Sequence, residues 1–203
     1  MRSRPERLLM ESQQALQKGD LSLAKKRCEE ALEAAPKLAT AHQLAAAIAV
    51  RQGQEPRAQR HLRRFLELQP THVEGWFSLG NSCRRAGAIR EAEVAYRQAL
   101  HVDLQHGASR RALVSLLTEQ GHGDAAVVIA EAGLRYAPSD LKLRALLGEA
   151  LLATEAFEPA LAQFAEALKA DPTFAAALQG KTLALRGLDR PEEALALLEA
   201  LET

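Results

Sequence analysis

The sequence predicts an all-α protein built from repeated helix–turn–helix units, and three observations support this. Hydrophobic residues make up 47% of the chain, mostly as alanine and leucine, and aromatic residues only 4%, a composition that favours helix over sheet. Four prolines are separated by 34 residues or twice that number: Pro36, Pro70, Pro138 and Pro172. Alanine recurs at six positions spaced by 34 residues: Ala24, Ala58, Ala92, Ala126, Ala160 and Ala194.

This period divides the chain into six units without an insertion. The units are 5–38, 39–72, 73–106, 107–140, 141–174 and 175–203, and we expect them to form a single array over residues 1–203. A residue's place is counted from the first residue of its unit, so the recurring alanine occupies the twentieth place.

Each unit is predicted to contain a first helix, a turn, a second helix and a closing turn at proline. The turn falls at the fifteenth place, which carries Gly19, Gly53, Gly87 and Gly121, followed by Glu155 and Asp189. Residues typical of a helix start stand where the second helix should begin: Asp20, Pro56, Pro159 and Pro191.

The third unit resembles the tetratricopeptide repeat, a helix–turn–helix unit of 34 residues. The residues that carry the resemblance are Trp76, Leu79, Gly80, Ala92, Tyr96 and Ala99. The fifth unit is similar, whereas Glu11, Arg110 and Lys181 depart from the family pattern in the first, fourth and sixth units. The resemblance covers residues 5–203 and implies a right-handed superhelical solenoid of six units.

The only tryptophan, Trp76, and Tyr96 lie at places that face each other within the third unit. We interpret them as a packing pair around the small residues Gly80 and Ala92, not as the wall of a ligand pocket.

Charge and composition argue against several classes of protein. Lysine plus arginine equals aspartate plus glutamate, so no global attraction to nucleic acid or to an anionic membrane is expected. Two cysteines, Cys28 and Cys83, are too few for a disulfide framework and fall at packing places. Without a signal-peptide pattern or a run of about 18 apolar residues, a cytoplasmic protein is expected.

The sequence offers no convincing catalytic, cofactor or metal site. Gln179–Thr182 reads QGKT but lacks the first glycine of a phosphate-binding loop, since Ala175 stands there. The six histidines form no HxxxH or HExxH pattern. Glu192 and Glu193 suit the first turn of a helix. We therefore expect a protein that is not an enzyme and that needs neither cofactor nor metal.

The resemblance implies that the first helices line a concave groove through places 2, 5, 9, 12 and 13. The predicted peptide-binding residues on these places are Phe77, Asn81, Arg84, Arg85, Arg111, Arg51 and Lys142. They offer an aromatic anchor, an amide for a peptide backbone, and guanidinium groups that bind carboxylates in pairs. The clamp by which some relatives bind chaperone tails is not expected, because Phe77, Ala112 and Leu146 replace three of its residues.

The predicted function is a non-catalytic scaffold that binds a protein or an acidic peptide segment in this groove. One alternative is an accessory or substrate-recruiting domain of a larger bacterial enzyme, since similar arrays precede sulfotransferases, glycosyltransferases and 2-oxoglutarate oxygenases. Binding of nucleic acid through the arginines is a further alternative. The last helix carries Leu195, Leu197, Leu198 and Leu201. We expect it to expose an apolar stripe that further chain, a second copy or a partner covers.

Overall fold

The computed structural model describes residues 3–199, with side chains described up to Leu197. These residues form twelve α-helices and contain no strand, which confirms the all-α prediction. The helices are α1 (Arg4–Gln17), α2 (Leu21–Ala34), α3 (Ala39–Arg51), α4 (Glu55–Leu68), α5 (Val73–Arg85), α6 (Ile89–Val102), α7 (Gly107–Glu119), α8 (Gly123–Tyr136), α9 (Leu141–Ala153), α10 (Phe157–Ala170), α11 (Ala175–Gly187) and α12 (Pro191–Glu199).

The chain divides between Leu104 and Gln105 into two compact parts, the first built on α1–α6 and the second on α7–α12. These two parts are called the first and the second unit below, and the six 34-residue units of the sequence are called repeats. Within each of the two units, every helix packs against the next one along the chain. The six successive helix pairs agree with the six predicted repeats, and each pair begins and ends within a few residues of its predicted position.

The two helices of each repeat meet at the alanine of the twentieth place. This alanine is fully buried in the first five repeats and 5% exposed, as Ala194, in the sixth. Neighbouring small residues allow aromatic rings to approach the backbone of the facing helix closely. A Cβ atom added to Gly80 would lie 2.4 Å from the ring of Tyr96, and one added to Gly148 would lie 2.5 Å from that of Phe164.

The turn at the fifteenth place has the same left-handed geometry in all six repeats. The four glycines have φ between 68° and 80°, and Glu155 and Asp189 adopt φ of 59° and 58°. In every repeat the amide of the next residue donates to a carbonyl five residues earlier, as from Ala88 to Cys83 at 2.9 Å. This six-to-one hydrogen bond ends the first helix of each repeat and requires the left-handed residue.

Arg110, which departs from the family pattern, takes the place of a tryptophan in the core of the second unit. It is 6% exposed, and its guanidinium carbon lies 5.6 Å from the ring centroid of Tyr136. Gly133 makes the room, because a Cβ atom there would lie 2.1 Å from Cδ of Arg110. The substitution is thus accommodated by the loss of a side chain on the facing helix.

The apolar stripe expected on the last helix is described only in part. Leu195 on α12 is 58% exposed, and Leu197 is half-buried. Leu201 and the side chain of Leu198 lie outside the described residues. The covering of this helix by further chain or by a second copy stays a prediction.

Replacing Ala92 by arginine should destabilise the protein strongly, because the alanine is fully buried between two helices. Overpacking and an unpaired buried charge together should lower the free energy of unfolding by more than about 3 kcal/mol. Val94→Arg on the same helix is the control, since Val94 is 58% exposed and should change stability by less than about 0.5 kcal/mol. Equal urea midpoints for the two variants would contradict the helix register.

Gly121→Ala should lower the free energy of unfolding by about 1 kcal/mol, because an L-residue is strained at φ of 76°. Nothing lies within 4 Å of the added methyl group, so the effect is conformational and not steric. Glu155→Gly should shift stability in the opposite direction, partly offset by the entropy of glycine in the unfolded chain. Glu155→Ala keeps the strain and serves as the control in urea melts. A neutral Gly121→Ala would argue against a strained turn.

Candidate functional site

A cavity of about 390 Å³ lies in the first unit between the faces of α3 and α5, and we call it the α3–α5 cavity. Its apolar lining consists of Ala46, Ala47, Val50, Leu62 and Gly75. Its polar lining consists of Gln43, Arg51, Ser78, Asn81 and Arg85. An apolar floor with a few polar groups is typical of sites that bind a ligand.

Three of the seven predicted site residues, Arg51, Asn81 and Arg85, line this cavity together. Arg51 and Arg85 occupy the thirteenth place of successive repeats, near the ends of α3 and α5. Asn81 lies one turn before Arg85 on the same face of α5, because residues four apart stack along a helix. The repeat period therefore brings these side chains to one surface.

The two arginines of the cavity differ in their partners. Arg85 already binds a carboxylate of the protein, with Nε 2.6 Å from Oε1 of Glu55 and Nη2 3.2 Å from Oε2. The hydroxyl of Ser82 also donates to Glu55, at 2.5 Å, and the hydrogen bond from Arg85 is the main cause that lowers the pKa of Glu55. Arg51 instead donates to the carbonyl of Leu16 at 2.8 Å. Among the described residues Arg51 has no carboxylate partner, so it leaves the cavity with excess positive charge.

Asn81 is held in place by Tyr96, whose hydroxyl donates to Oδ1 at 2.8 Å. Burial raises the pKa of Tyr96, and a hydrogen bond with Arg84 opposes this shift. The ring of Phe77 lies 6.0 Å from that of Tyr96 between centroids. Phe77 and Arg84 thus support Asn81 from behind through Tyr96, and the structure does not place them in the lining of the cavity.

The remaining two predicted residues belong to the second unit. Nη1 of Arg111 lies 2.5 Å from Oδ2 of Asp140, whose other oxygen accepts from the amide of Leu143 at the start of α9. Lys142 is exposed on the same helix. Arg111 therefore already compensates a helix-capping carboxylate, which sequence reasoning missed because the two residues are 29 positions apart.

The expected packing of Trp76 against Tyr96 differs from what the structure shows. Tyr96 is fully buried over Gly80, as predicted. Its aromatic neighbour among the described rings is Phe77, whereas Trp76 lies on another face of α5, is only partly buried and lines a different cavity. The sequence did not reveal the partial exposure of Trp76, because that exposure depends on how the side chains of neighbouring helices pack around it.

Two histidines, His42 on α3 and His61 on α4, are paired in the first unit. Their Nδ1 atoms lie 3.2 Å apart, and Nε2 of His42 lies 3.0 Å from the carbonyl oxygen of Pro36. Because that carbonyl only accepts, His42 carries a proton on Nε2, and a neutral His42 accepts at Nδ1. Burial, followed by the charge of His42, lowers the pKa of His61. No group of three metal-ligating side chains occurs among the described residues.

Between pH 8 and about 5.5 the protein should lose stability only once the pH falls below about 6.5, because the lowered pKa of His61 means that the unfolded chain binds its proton more readily. The contribution of neutral His61 to the free energy of unfolding is complete above the ordinary histidine pKa of about 6.5. It is lost below that pH, as the pH approaches the lower pKa of His61 in the folded protein. Urea melts across this range should show a smaller pH dependence for His61→Gln than for the wild type. The same slope in both proteins would mean that another group is responsible.

The comparisons with known proteins agree with this architecture. A family model described as Tetratricopeptide repeat matches residues 44–103 and 111–175. No curated protein sequence matches the chain. No helix among the described residues has the length and apolar character needed to cross a membrane.

Several solved structures are similar in fold. A tetratricopeptide repeat protein from Parabacteroides merdae aligns with a TM-score of 0.83 and 16% identity, over 98% of this chain and 78% of that one. PilW, described as a widely conserved type IV pilus biogenesis factor, aligns with a TM-score of 0.75 and 17% identity, over 100% of this chain and 94% of that one. YrrB, described as having an unusual peptide-binding site, aligns with a TM-score of 0.68 and 21% identity, over 85% of this chain and 89% of that one. At these identities the likeness concerns the fold alone.

Proposed function

Because the chain belongs to the tetratricopeptide repeat family, we propose that it is a protein-interaction scaffold whose α3–α5 cavity binds an acidic peptide segment. The observation that carries this proposal is the convergence of Arg51, Asn81 and Arg85 on a cavity of about 390 Å³ with an apolar floor. The description of YrrB as a peptide-binding protein of this fold supports it by analogy.

Each part of the cavity suits a different part of a peptide. The floor of alanine, valine and leucine side chains would hold a small apolar side chain away from water. Asn81 has its oxygen occupied by Tyr96, so its amide nitrogen is available to donate to a peptide carbonyl. Arg51 supplies positive charge without a carboxylate partner among the described residues, which favours an acidic side chain or a terminal carboxylate.

In this proposal Arg85 shapes the edge of the cavity and does not attract the carboxylate of the peptide. Its two-point contact with Glu55 fixes the guanidinium group at the edge of the cavity and compensates its charge. Phe77 and Arg84 act at one remove, through Tyr96. In the second unit, Arg111 and Lys142 stay separate predicted contacts for a peptide.

The same binding would serve an accessory domain that recruits a substrate to a larger enzyme. The two roles share the cavity and differ in what the gene encodes around it. A reading frame that continues into a catalytic domain beyond Thr203 would favour the accessory role, and the proposal of peptide binding would stand in either case.

Arg51→Glu should weaken the binding of acidic peptides selected by the wild type from an arrayed library of short random peptides. The wild type should select sequences in which aspartate or glutamate lies beside a small apolar residue. Loss of one charge-assisted hydrogen bond, worth about 1.5 kcal/mol or more, should weaken the selected peptides at least about tenfold by fluorescence anisotropy. Raised salt should weaken the wild-type complex further.

The matched control is Arg135→Glu, because Arg135 is an exposed arginine near the end of α8, outside the cavity. It makes the same change of net charge and should alter affinity less than about twofold. Equal losses in the two variants, or selected peptides with no acidic bias, would reject the α3–α5 cavity as the site.

A further inference from the structure

A second cavity of about 390 Å³ lies in the first unit, and we call it the Trp76 cavity. Its lining residues are Trp76, Leu79, Cys83, Val94, Ala95, Arg63, Arg90 and Glu91. Its volume is within the range of about 300–1,000 Å³ that is usual for ligand sites. Nothing in the proposed function uses it.

The Trp76 cavity lies on roughly the opposite face of α5 from the α3–α5 cavity. Ser78, Asn81 and Arg85 line the α3–α5 cavity, whereas Trp76, Leu79 and Cys83 line the second one. With about 3.6 residues per turn, these two sets point roughly half a turn apart. A ligand in one cavity therefore leaves the lining of the other accessible.

The lining of the Trp76 cavity that reaches solvent is mainly hydrocarbon of Trp76 and Val94, whereas Leu79 and Cys83 are buried behind it. The indole N–H of Trp76 is already satisfied, since it donates to the carbonyl of Pro70 at 2.8 Å. Cys83 is fully buried, and Leu79 is 6% exposed. Val94 is 58% exposed although its side chain is apolar. When another apolar group covers an open apolar surface whose polar atoms are satisfied, the free energy falls, so binding there is favourable.

The rim of the cavity carries one excess positive charge. Arg63 forms an ion pair with Glu91, so these two charges compensate each other. Arg90 is exposed beside them and has no carboxylate partner among the described residues. A carboxylate carried by the occupant would complete the charge balance at this rim.

The aromatic wall is specific to the third repeat. The fourth place carries Trp76 there, whereas the other repeats carry Leu8, His42, Arg110, Arg144 and Leu178. A cavity at the equivalent places of the preceding repeat, lined by Glu29, Ala45, Ala49 and Arg57, has only about 10 Å³, so the size of the Trp76 cavity is particular to the third repeat. It arises where a tryptophan lies partly uncovered beside an exposed valine.

We propose that the Trp76 cavity is a second binding site, which takes a partner peptide presenting a large apolar side chain next to a carboxylate. The apolar side chain packs on Trp76 and Val94, and the carboxylate lies against Arg90. This site is independent of the α3–α5 cavity, so one chain can hold two segments at once.

Anilinonaphthalene sulfonate is a suitable probe, because it joins an aromatic body to one negative charge. Trp76 is the only tryptophan of the chain, so energy transfer from its emission to the bound dye reports binding near this residue. The expected result is saturable binding with a single site at low dye concentration. The dye should be displaced by the peptide acetyl-Gly-Asp-Leu-Phe-Asp-Gly-amide but not by the matched peptide with lysine in place of both aspartates.

Val94→Glu should weaken dye and peptide binding at least about tenfold, because it places a negative charge on the apolar wall. Val128→Glu is the matched control: Val128 holds the same place in the next repeat, is 65% exposed and lies outside the cavity. Arg90→Glu should weaken binding of the aspartate peptide, whose carboxylate loses its positive partner. It should weaken binding of the dye less, because the dye is held mainly by apolar contact. Circular dichroism should show the same helicity for all variants, since both valines are exposed.

Two outcomes would overturn the assignment. Equal binding by Val94→Glu and Val128→Glu would place the dye elsewhere, and displacement by the lysine peptide as well as the aspartate peptide would remove the role of Arg90. Arg51→Glu should leave this binding unchanged, so the result is separate from the fate of the α3–α5 cavity.

Discussion

The close approach of the two helices of each repeat is the constraint on which the rest of the structure depends. The alanine at the twentieth place is buried to at least 95% in every repeat, and glycines on the facing helices admit aromatic rings. Phe164 shows how tightly this works, because its ring lies against both Gly148 and Gly180. Where a larger side chain enters the core, as Arg110 does, the opposite residue is reduced to Gly133. Volume is conserved across the helix pair even when chemistry is not.

This packing turns α5 into a wall shared by two different surfaces. Tyr96 is the link, since its ring covers Gly80 and its hydroxyl holds Asn81 at the edge of the α3–α5 cavity. The opposite face of the helix carries Trp76, whose polar atom is satisfied by Pro70. The position of Asn81 at the edge of the α3–α5 cavity thus depends on an aromatic ring buried inside the repeat.

The sequence predicted the fold well, because the repeat period fixes both the helices and the turns. The period also predicted turns at Glu155 and Asp189, and the structure shows both residues in the left-handed conformation. The resemblance to the tetratricopeptide repeat implied that Arg51, Asn81 and Arg85 occupy groove-facing places of neighbouring repeats, and these three side chains line one cavity. The turns follow from the repeat period, which is visible in a sequence.

What the sequence could not predict are contacts between residues that the period does not relate. Glu55 compensates Arg85 from 30 positions away, and His61 meets His42 across two helices. Such pairs depend on which rotamers meet at one particular crossing of helices. The Trp76 cavity was missed for a related reason. A cavity is space that the surrounding side chains leave unfilled, and no sequence motif describes such space.

The two cysteines have a consequence for how motions of this protein can be followed. Cys28 and Cys83 both lie in the first unit, on α2 and α5, and each is at most 1% exposed. Burial raises the pKa of both thiols, that of Cys28 to about 11, so neither is reactive while its helices stay packed. The second unit contains no cysteine among its residues. The rate at which a thiol reagent labels the native protein therefore measures the transient opening of α1–α6 alone. No engineered label is needed for this measurement.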